Sequence, residues 1–164
     1  MNSLTDVTLQ VVVGRLLNQQ GIKLAVAESC TGGLISYWIT DVPGSSVYFE
    51  GAVVAYSCDV KEMVLHVWRS TLDRHGAVSE QVAREMAQGV RSALKVDLGL
   101  AVTGIAGPGG GTPDKPVGLV YVALAAPDGV WVERCLWDGD RRENRIRSAE
   151  AALDLLRRYL VGEL

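Results

Sequence analysis

Ala27-Glu28-Ser29-Cys30-Thr31-Gly32-Gly33 joins a short apolar run to a polar, glycine-ended turn. Lys23 to Ala27 reads as a strand closed by Glu28, and Gly32 to Thr40 reads as the following helix, ended by Asp41-Val42-Pro43-Gly44. A strand passing through a tight turn into a helix is the building unit of an α/β layer. Such a turn leaves backbone N–H groups without partners, and the helix end adds partial positive charge. Gly32 and Gly33 would let a ligand approach the backbone, and Ser29 and Thr31 add hydroxyls. Three roles fit these residue types: holding an anion, presenting a nucleophile beside oxyanion donors, or simply capping a helix with a serine. The pattern is not GxSxG, so the strand-to-helix elbow of α/β-hydrolases does not apply.

Working outward, Asp6 to Gln20 carries apolar residues at helical spacing and stops at Gly21. Val47 to Tyr56 is β-branched and aromatic, one strand or two around Gly51. Asp59 to Leu65 reads as helix, with a further turn around Ser70 to His75. Ser79 is an N-cap for an amphipathic helix to Ala93, with Val82, Ala83, Met86, Val90 and Leu94 on one face. Leu98 to Val102 is a short buried strand, and Gly104 to Pro116 a glycine- and proline-rich loop. Val117 to Ala126 and Val130 to Trp137 form a hairpin around Pro127-Asp128-Gly129, and Arg142 to Leu160 is a closing helix. Helices alternating with strands early, and a hairpin late, predict a three-layer α/β/α single domain with a mixed β-sheet spanning residues 1–164.

The composition narrows the chemistry. With 164 residues and 48% apolar content the chain can bury a core without staples, and its net charge of −3 argues against nucleic acid as a partner. Cys30, Cys58 and Cys135 are odd in number and widely spaced, with no CxxC, so neither a disulfide framework nor a zinc site is expected. No metal and no cofactor is implied. His66 and His75 read as surface or packing residues, and Trp38, Trp68, Trp131 and Trp137 as core. There is no signal-peptide pattern and no apolar run of about 20 residues, which makes the cytoplasm the default location.

Three more constellations can carry chemistry. In Tyr56-Ser57-Cys58-Asp59-Val60-Lys61, Lys61 is a candidate base if burial lowers its pKa, and Tyr56 a proton relay; a surface lysine is the plainer alternative. Thr103-Gly104-Ile105-Ala106-Gly107-Pro108-Gly109-Gly110-Gly111 follows a buried strand, where open α/β sheets bind ligands, yet matches neither a P-loop nor GxGxxG; a flexible surface loop is the plainer alternative. Gly139-Asp140-Arg141-Arg142-Glu143-Asn144-Arg145 opens the last helix, with Asp140 as N-cap and Arg141 or Arg145 able to clamp a phosphate.

Together AESCTGG (27–33), PGSS (43–46) with Phe49 and Gly51, YS…K (56–61), HGAVSE (75–80), TGIAGPGG (103–110), KPVG (115–118) and GDR (139–141) occur in an order that resembles the CinA C-terminal domain family, the nicotinamide-nucleotide amidases. The resemblance implies hydrolysis of nicotinamide mononucleotide to nicotinic acid mononucleotide and ammonia in pyridine-nucleotide recycling, with no metal and a homodimer or higher homo-oligomer. It implies Ser29 as nucleophile, Lys61 as base and Tyr56 assisting. Thr31, Gly32 and Gly33 would surround the reacting amide, and Ser46 would sit near the pocket. Thr103, Gly104, Ala106 and Gly107 would line the nucleotide side, with Arg141 close to the phosphate. Relatives usually carry Asn where this chain has Cys58, inside the Tyr56–Lys61 segment. The pyrophosphatase work of the larger N-terminal domain found in some relatives is not expected of these residues. The rival readings are a non-catalytic nucleotide-binding module and a partner-binding domain of the competence or damage response.

Overall fold

The computed structural model of the protein describes residues 7–164. Asp6, where the first helix is expected to begin, lies outside the described residues. In chain order the elements are α1 (Leu9–Gln20), β1 (Leu24–Glu28), α2 (Leu34–Thr40), a 3₁₀ turn (Ser45–Val47), β2 (Phe49–Val54), α3 (Cys58–Leu65), α4 (Arg69–His75), α5 (Glu80–Ala93), β3 (Leu98–Gly104), β4 (Leu119–Ala126), β5 (Gly129–Leu136) and α6 (Arg141–Leu160). The strands form one sheet in the order β2-β1-β3-β4-β5. β2, β1 and β3 run parallel, and β4 and β5 pair antiparallel to β3 and to each other. Helices cover both faces, so the domain is the three-layer α/β fold with a mixed sheet. Among the described residues no helix is long and apolar enough to cross a membrane.

Local chemistry sets most boundaries. Gly21 ends α1 in the left-handed conformation. Ser79 accepts a hydrogen bond from Val82 N–H at the start of α5, and Asp140 with Glu143 completes a capping box at the start of α6. α2 begins two residues later than its sequence pattern suggests, because Gly32 and Gly33 both take positive φ (58° and 100°) and belong to the turn. Val47 lies in the 3₁₀ turn rather than in β2.

The two faces of the sheet are unlike. One presents Leu24, Val26, Leu98, Leu100, Val102, Val120, Val122 and Leu124, which pack with α1, α2 and α6 around Leu17, Ile35, Leu153 and Leu156. Each such side chain contributes about 1.5–3 kcal/mol on burial. The other face presents Ala25, Ala27, Ala101, Ala123 and Ala125, against which α5 lays Val82, Met86 and Val90. Small residues there bring α5 almost onto the backbone of the sheet: a Cβ on Gly99 would stand 2.2 Å from the Ala87 carbonyl oxygen. Trp68 departs from expectation. It precedes α4 and is 70% exposed, because the short α3–α4 connection turns it out to solvent. Trp131 packs on Tyr159 with ring centroids 5.1 Å apart, and Trp137 Nε1 donates to Ser148 Oγ.

α3 sits against α5 by a second close approach, since a Cβ on Gly89 would lie 1.9 Å from the Leu65 carbonyl oxygen. Alanine at a helical glycine normally gains about 1 kcal/mol. Here the clash is with backbone, so Gly89→Ala is expected to lose about 1–3 kcal/mol net, measured as a lowered urea midpoint. Gly109→Ala, which meets nothing within 4 Å, should leave the midpoint nearly unchanged.

Candidate active site

β1 connects to β2 on one side of itself, and the chain then crosses back to β3 on the other side. The carboxyl ends of β1 and β3 therefore frame the place where strand order reverses, the usual ligand crevice of such sheets. The Ser29 N–H donates to the Val102 carbonyl at 3.0 Å, which seats Ser29 on the shoulder of β3. A cavity of about 270 Å³ opens there. Ser29, Lys61, Tyr56, Thr103, Gly104 and Arg141 all contribute to its lining, as do Ala106 and Gly107. Segments up to 112 residues apart in sequence thus meet at one set of strand ends.

Lys61 is the central group. Its side chain reaches in from α3 and is only 1% exposed. Nζ lies 3.0 Å from Ser29 Oγ and donates to the Ala55 carbonyl at 2.7 Å. No carboxylate lies within ion-pair distance of it among the described residues. Burial pushes its pKa below the ordinary lysine value, against weaker upward pulls from Cys58 and Cys30. A buried amine that shares a hydrogen bond with a serine hydroxyl, and is biased toward its neutral form, can remove that hydroxyl's proton. Cys30 is no rival nucleophile: burial raises its thiol to about 12, so it stays protonated at neutral pH.

Glu28 decides what the turn can hold. It is wholly buried, and its carboxylate accepts from the N–H groups of Gly33, Ile35 and Ser36 and from the Ser36 hydroxyl. The first turn of α2 is therefore capped from within, and no free helix end remains there for an external anion. Gly32 N–H is also engaged, by the Ser29 carbonyl. Within the turn only the Cys30 and Thr31 N–H groups find no acceptor among the described residues. Such an arrangement suits a nucleophile flanked by oxyanion donors better than a phosphate cradle.

A guanidinium stands across the cavity. Arg141 Nη1 donates to the Gly107 carbonyl at 2.7 Å, and Nη2 donates to the Tyr56 hydroxyl at 3.0 Å. Arg141 also borders a neighbouring hollow of about 440 Å³ that it shares with Ala106, Arg142 and Val117. Tyr56 is 62% exposed and bonded to Arg141, so it stands at the cavity rim and not within bonding reach of Ser29 or Lys61 as a proton relay would. Thr31, Gly32 and Gly33 do not line the cavity; they form the far side of the turn, with Thr31 fully buried and its hydroxyl unpartnered. Ser46 is also away from the site: its 3₁₀ turn precedes β2, at the opposite end of the strands from Ser29. Thr103 lines the cavity and bonds the Ala77 carbonyl, which holds the Ala77–Val78 wall in place.

Several residues that build the site were not singled out from the sequence. Glu28 is one, although a carboxylate ending an apolar strand was a usable sign. Lys115 donates to the His75 and Val78 carbonyls and ties the glycine loop to the wall opposite. Asn144, buried in the first turns of α6, donates to the Ala106 carbonyl and accepts from Gly139 N–H. Among the described residues no three His, Cys, Asp or Glu side chains come together to hold a metal ion.

Fold and site define an α/β domain with a serine–lysine pair at the sheet's switch point and an arginine at its rim. The chain belongs to the CinA C-terminal domain family, whose profile matches residues 6–160. It is 54% identical over 157 residues to a putative competence-damage inducible protein of Caldanaerobacter subterraneus subsp. tengcongensis, covering 96% of this chain and 38% of that one. A CinA-like protein of Syntrophomonas wolfei is 54% identical over 153 residues, 93% of this chain and 37% of its own length. The chain thus spans well under half of these relatives. Among solved structures, a CinA superfamily protein from Klebsiella pneumoniae superposes with TM-score 0.91 at 31% identity, covering 94% of this chain and 96% of that one. A competence/damage inducible protein from Agrobacterium tumefaciens gives 0.87 at 39% identity, covering 94% and 97%.

The depressed lysine carries a sign that can be measured. Between its lowered native pKa and the ordinary value near 10.5, the unfolded chain binds a proton that the native state does not. Stability should therefore rise with pH across that window through this group, and the contribution is lost as pH falls through the native pKa. Comparing chemical denaturation of the wild type and Lys61→Met as a function of pH should show this rise only in the wild type.

Proposed function

We propose that this domain is an amidohydrolase that cleaves the carboxamide of nicotinamide mononucleotide, giving nicotinic acid mononucleotide and ammonia. The observation that carries the reading is the 3.0 Å contact between the buried Lys61 Nζ and Ser29 Oγ inside a cavity with Arg141 at its rim. The substrate class follows from the family resemblance, and the site chemistry is consistent with it. A carboxamide would lie over Ser29, and the 5′-phosphate would reach toward Arg141, exchanging the neutral Gly107 and Tyr56 acceptors for a charged one.

In the proposed reaction neutral Lys61 takes the Ser29 hydroxyl proton as Oγ bonds to the amide carbon. The C=O π pair moves onto oxygen, which the Cys30 N–H stabilises. The tetrahedral intermediate collapses, the C–N bond breaks, and the lysine proton leaves with nitrogen as ammonia. Water then adds to the ester, again giving a proton to Lys61, and the acid is released with Ser29 restored. Thr103, Gly104, Ala106 and Gly107 would line the nucleotide side. Tyr56 would form the rim. Cytoplasmic recycling of pyridine nucleotides and assembly into a homo-oligomer belong to the same reading.

Incubation with nicotinamide mononucleotide should release stoichiometric ammonia and nicotinic acid mononucleotide. Ser29→Ala and Lys61→Ala should each lower kcat by at least about 10³-fold, with a folded protein by circular dichroism. Tight binding of the mononucleotide without turnover, indifferent to Lys61→Ala, would show a nucleotide-binding module instead.

A further inference from the structure

Two charged side chains grip the Ser29–Gly33 turn without reaching into the cavity, and one of them comes from the far end of the chain. Arg145 Nε donates to the Cys30 carbonyl at 3.1 Å, and Nη2 donates to the Thr31 carbonyl at 2.8 Å. Arg145 is half-buried and forms no ion pair among the described residues, so backbone carbonyls are its protein partners. It lies one helical turn beyond Arg141 on α6, which sends one arginine to the cavity and the other beneath the turn.

Peptide geometry converts this grip into an orientation. In a trans peptide the carbonyl and the following N–H point in opposite directions. Drawing the Cys30 carbonyl to Arg145 turns the Thr31 N–H away from it. Drawing the Thr31 carbonyl to the same guanidinium turns the Gly32 N–H inward, where it meets the Ser29 carbonyl at 3.0 Å. That bond in turn sets the Ser29–Cys30 peptide and points the Cys30 N–H outward. The rigid, planar fork of an arginine presents its donors in fixed directions and so sets the angle between two successive carbonyls, which the rotatable ammonium of a lysine does not. We propose that Arg145 is a positioning residue for acyl transfer: its guanidinium fixes the peptide planes of the turn so that the N–H of Cys30, which lines the cavity, faces the oxyanion. The proposal rests on the acyl-transfer reading of Ser29.

Arg145→Met keeps the side-chain stem and removes the fork. Two rates are compared with the wild type: ammonia release from nicotinamide mononucleotide, and acylation of Ser29 by p-nitrophenyl acetate, which needs oxyanion donors but neither nucleotide nor phosphate. Both are expected to fall about 10²-fold, with KM for the nucleotide nearly unchanged and the melting temperature close to that of the wild type. Millimolar guanidinium should restore part of the lost rate, and Arg145→Lys should recover little. An unchanged acylation rate, or a raised KM with unchanged kcat, would make Arg145 a bystander or a substrate-binding charge and overturn the proposal. Should the Met variant fail to fold, Arg145→Lys decides: a folded protein with full acylation rate refutes it, and a folded protein slowed tenfold or more supports it. A wild type that is acylated by the ester but leaves the nucleotide intact would remove the substrate assignment and leave the Arg145 test standing. A wild type inert to both would bring down the two together.

Discussion

The carboxylate of Glu28, wholly buried where β1 ends, is the constraint around which the site is built. Removing an ion from water costs several kcal/mol even after the protein relaxes. Four donors meet it here, three backbone N–H groups of α2 and the Ser36 hydroxyl. Hydrogen bonds to a charged group contribute about 1.5–3 kcal/mol each, so the four together offset that cost. Strand and helix are thereby locked at a set distance, and Ser29 to Gly32 must span the gap in one conformation. The same bonds use up the helix end as an anion site, which leaves the turn with a different chemical role.

That role depends on a second element placed from elsewhere. Lys61 comes from α3, whose depth is set by α5: the backbone of Leu65, one turn after Lys61, rests directly on Gly89. α5 in turn lies close to the sheet because Ala25, Ala27, Gly99, Ala101, Ala123 and Ala125 of β1, β3 and β4 lie beneath it. A chain of small residues therefore governs how far the lysine reaches. Where it arrives, no carboxylate among the described residues balances it, and desolvation biases the amine toward its neutral form. Packing on one face of the sheet thus sets the environment of the lysine at the sheet's end.

α6 completes the arrangement from the opposite face. Its capping box at Asp140 and Glu143 starts the helix where Arg141, Asn144 and Arg145 fall on the side facing the site. Arg141 meets the cavity, Asn144 holds the glycine loop, and Arg145 holds the turn. Residues so close in sequence take different tasks because helical spacing sends them toward different loops.

The fold class and nearly every element were legible in the sequence, since hydrophobic period, caps and turn residues are local properties that each segment carries with it. Leu9–Gln20, the Ser79 cap, the Asp140 cap and the hairpin through Pro127-Asp128 all follow from neighbours in the chain. The motifs also pointed to Ser29, Lys61, Thr103 and Arg141, which now share one cavity. Only the tertiary structure decided that Tyr56 pairs with Arg141 at the rim, that Ser46 lies at the other end of the strands, and that Glu28, Lys115, Asn144 and Arg145 brace the loops. The physical reason is that a residue's type announces what it can donate or accept. Which partner it meets depends on strand order, helix depth and peptide orientation, and those arise only when distant segments pack.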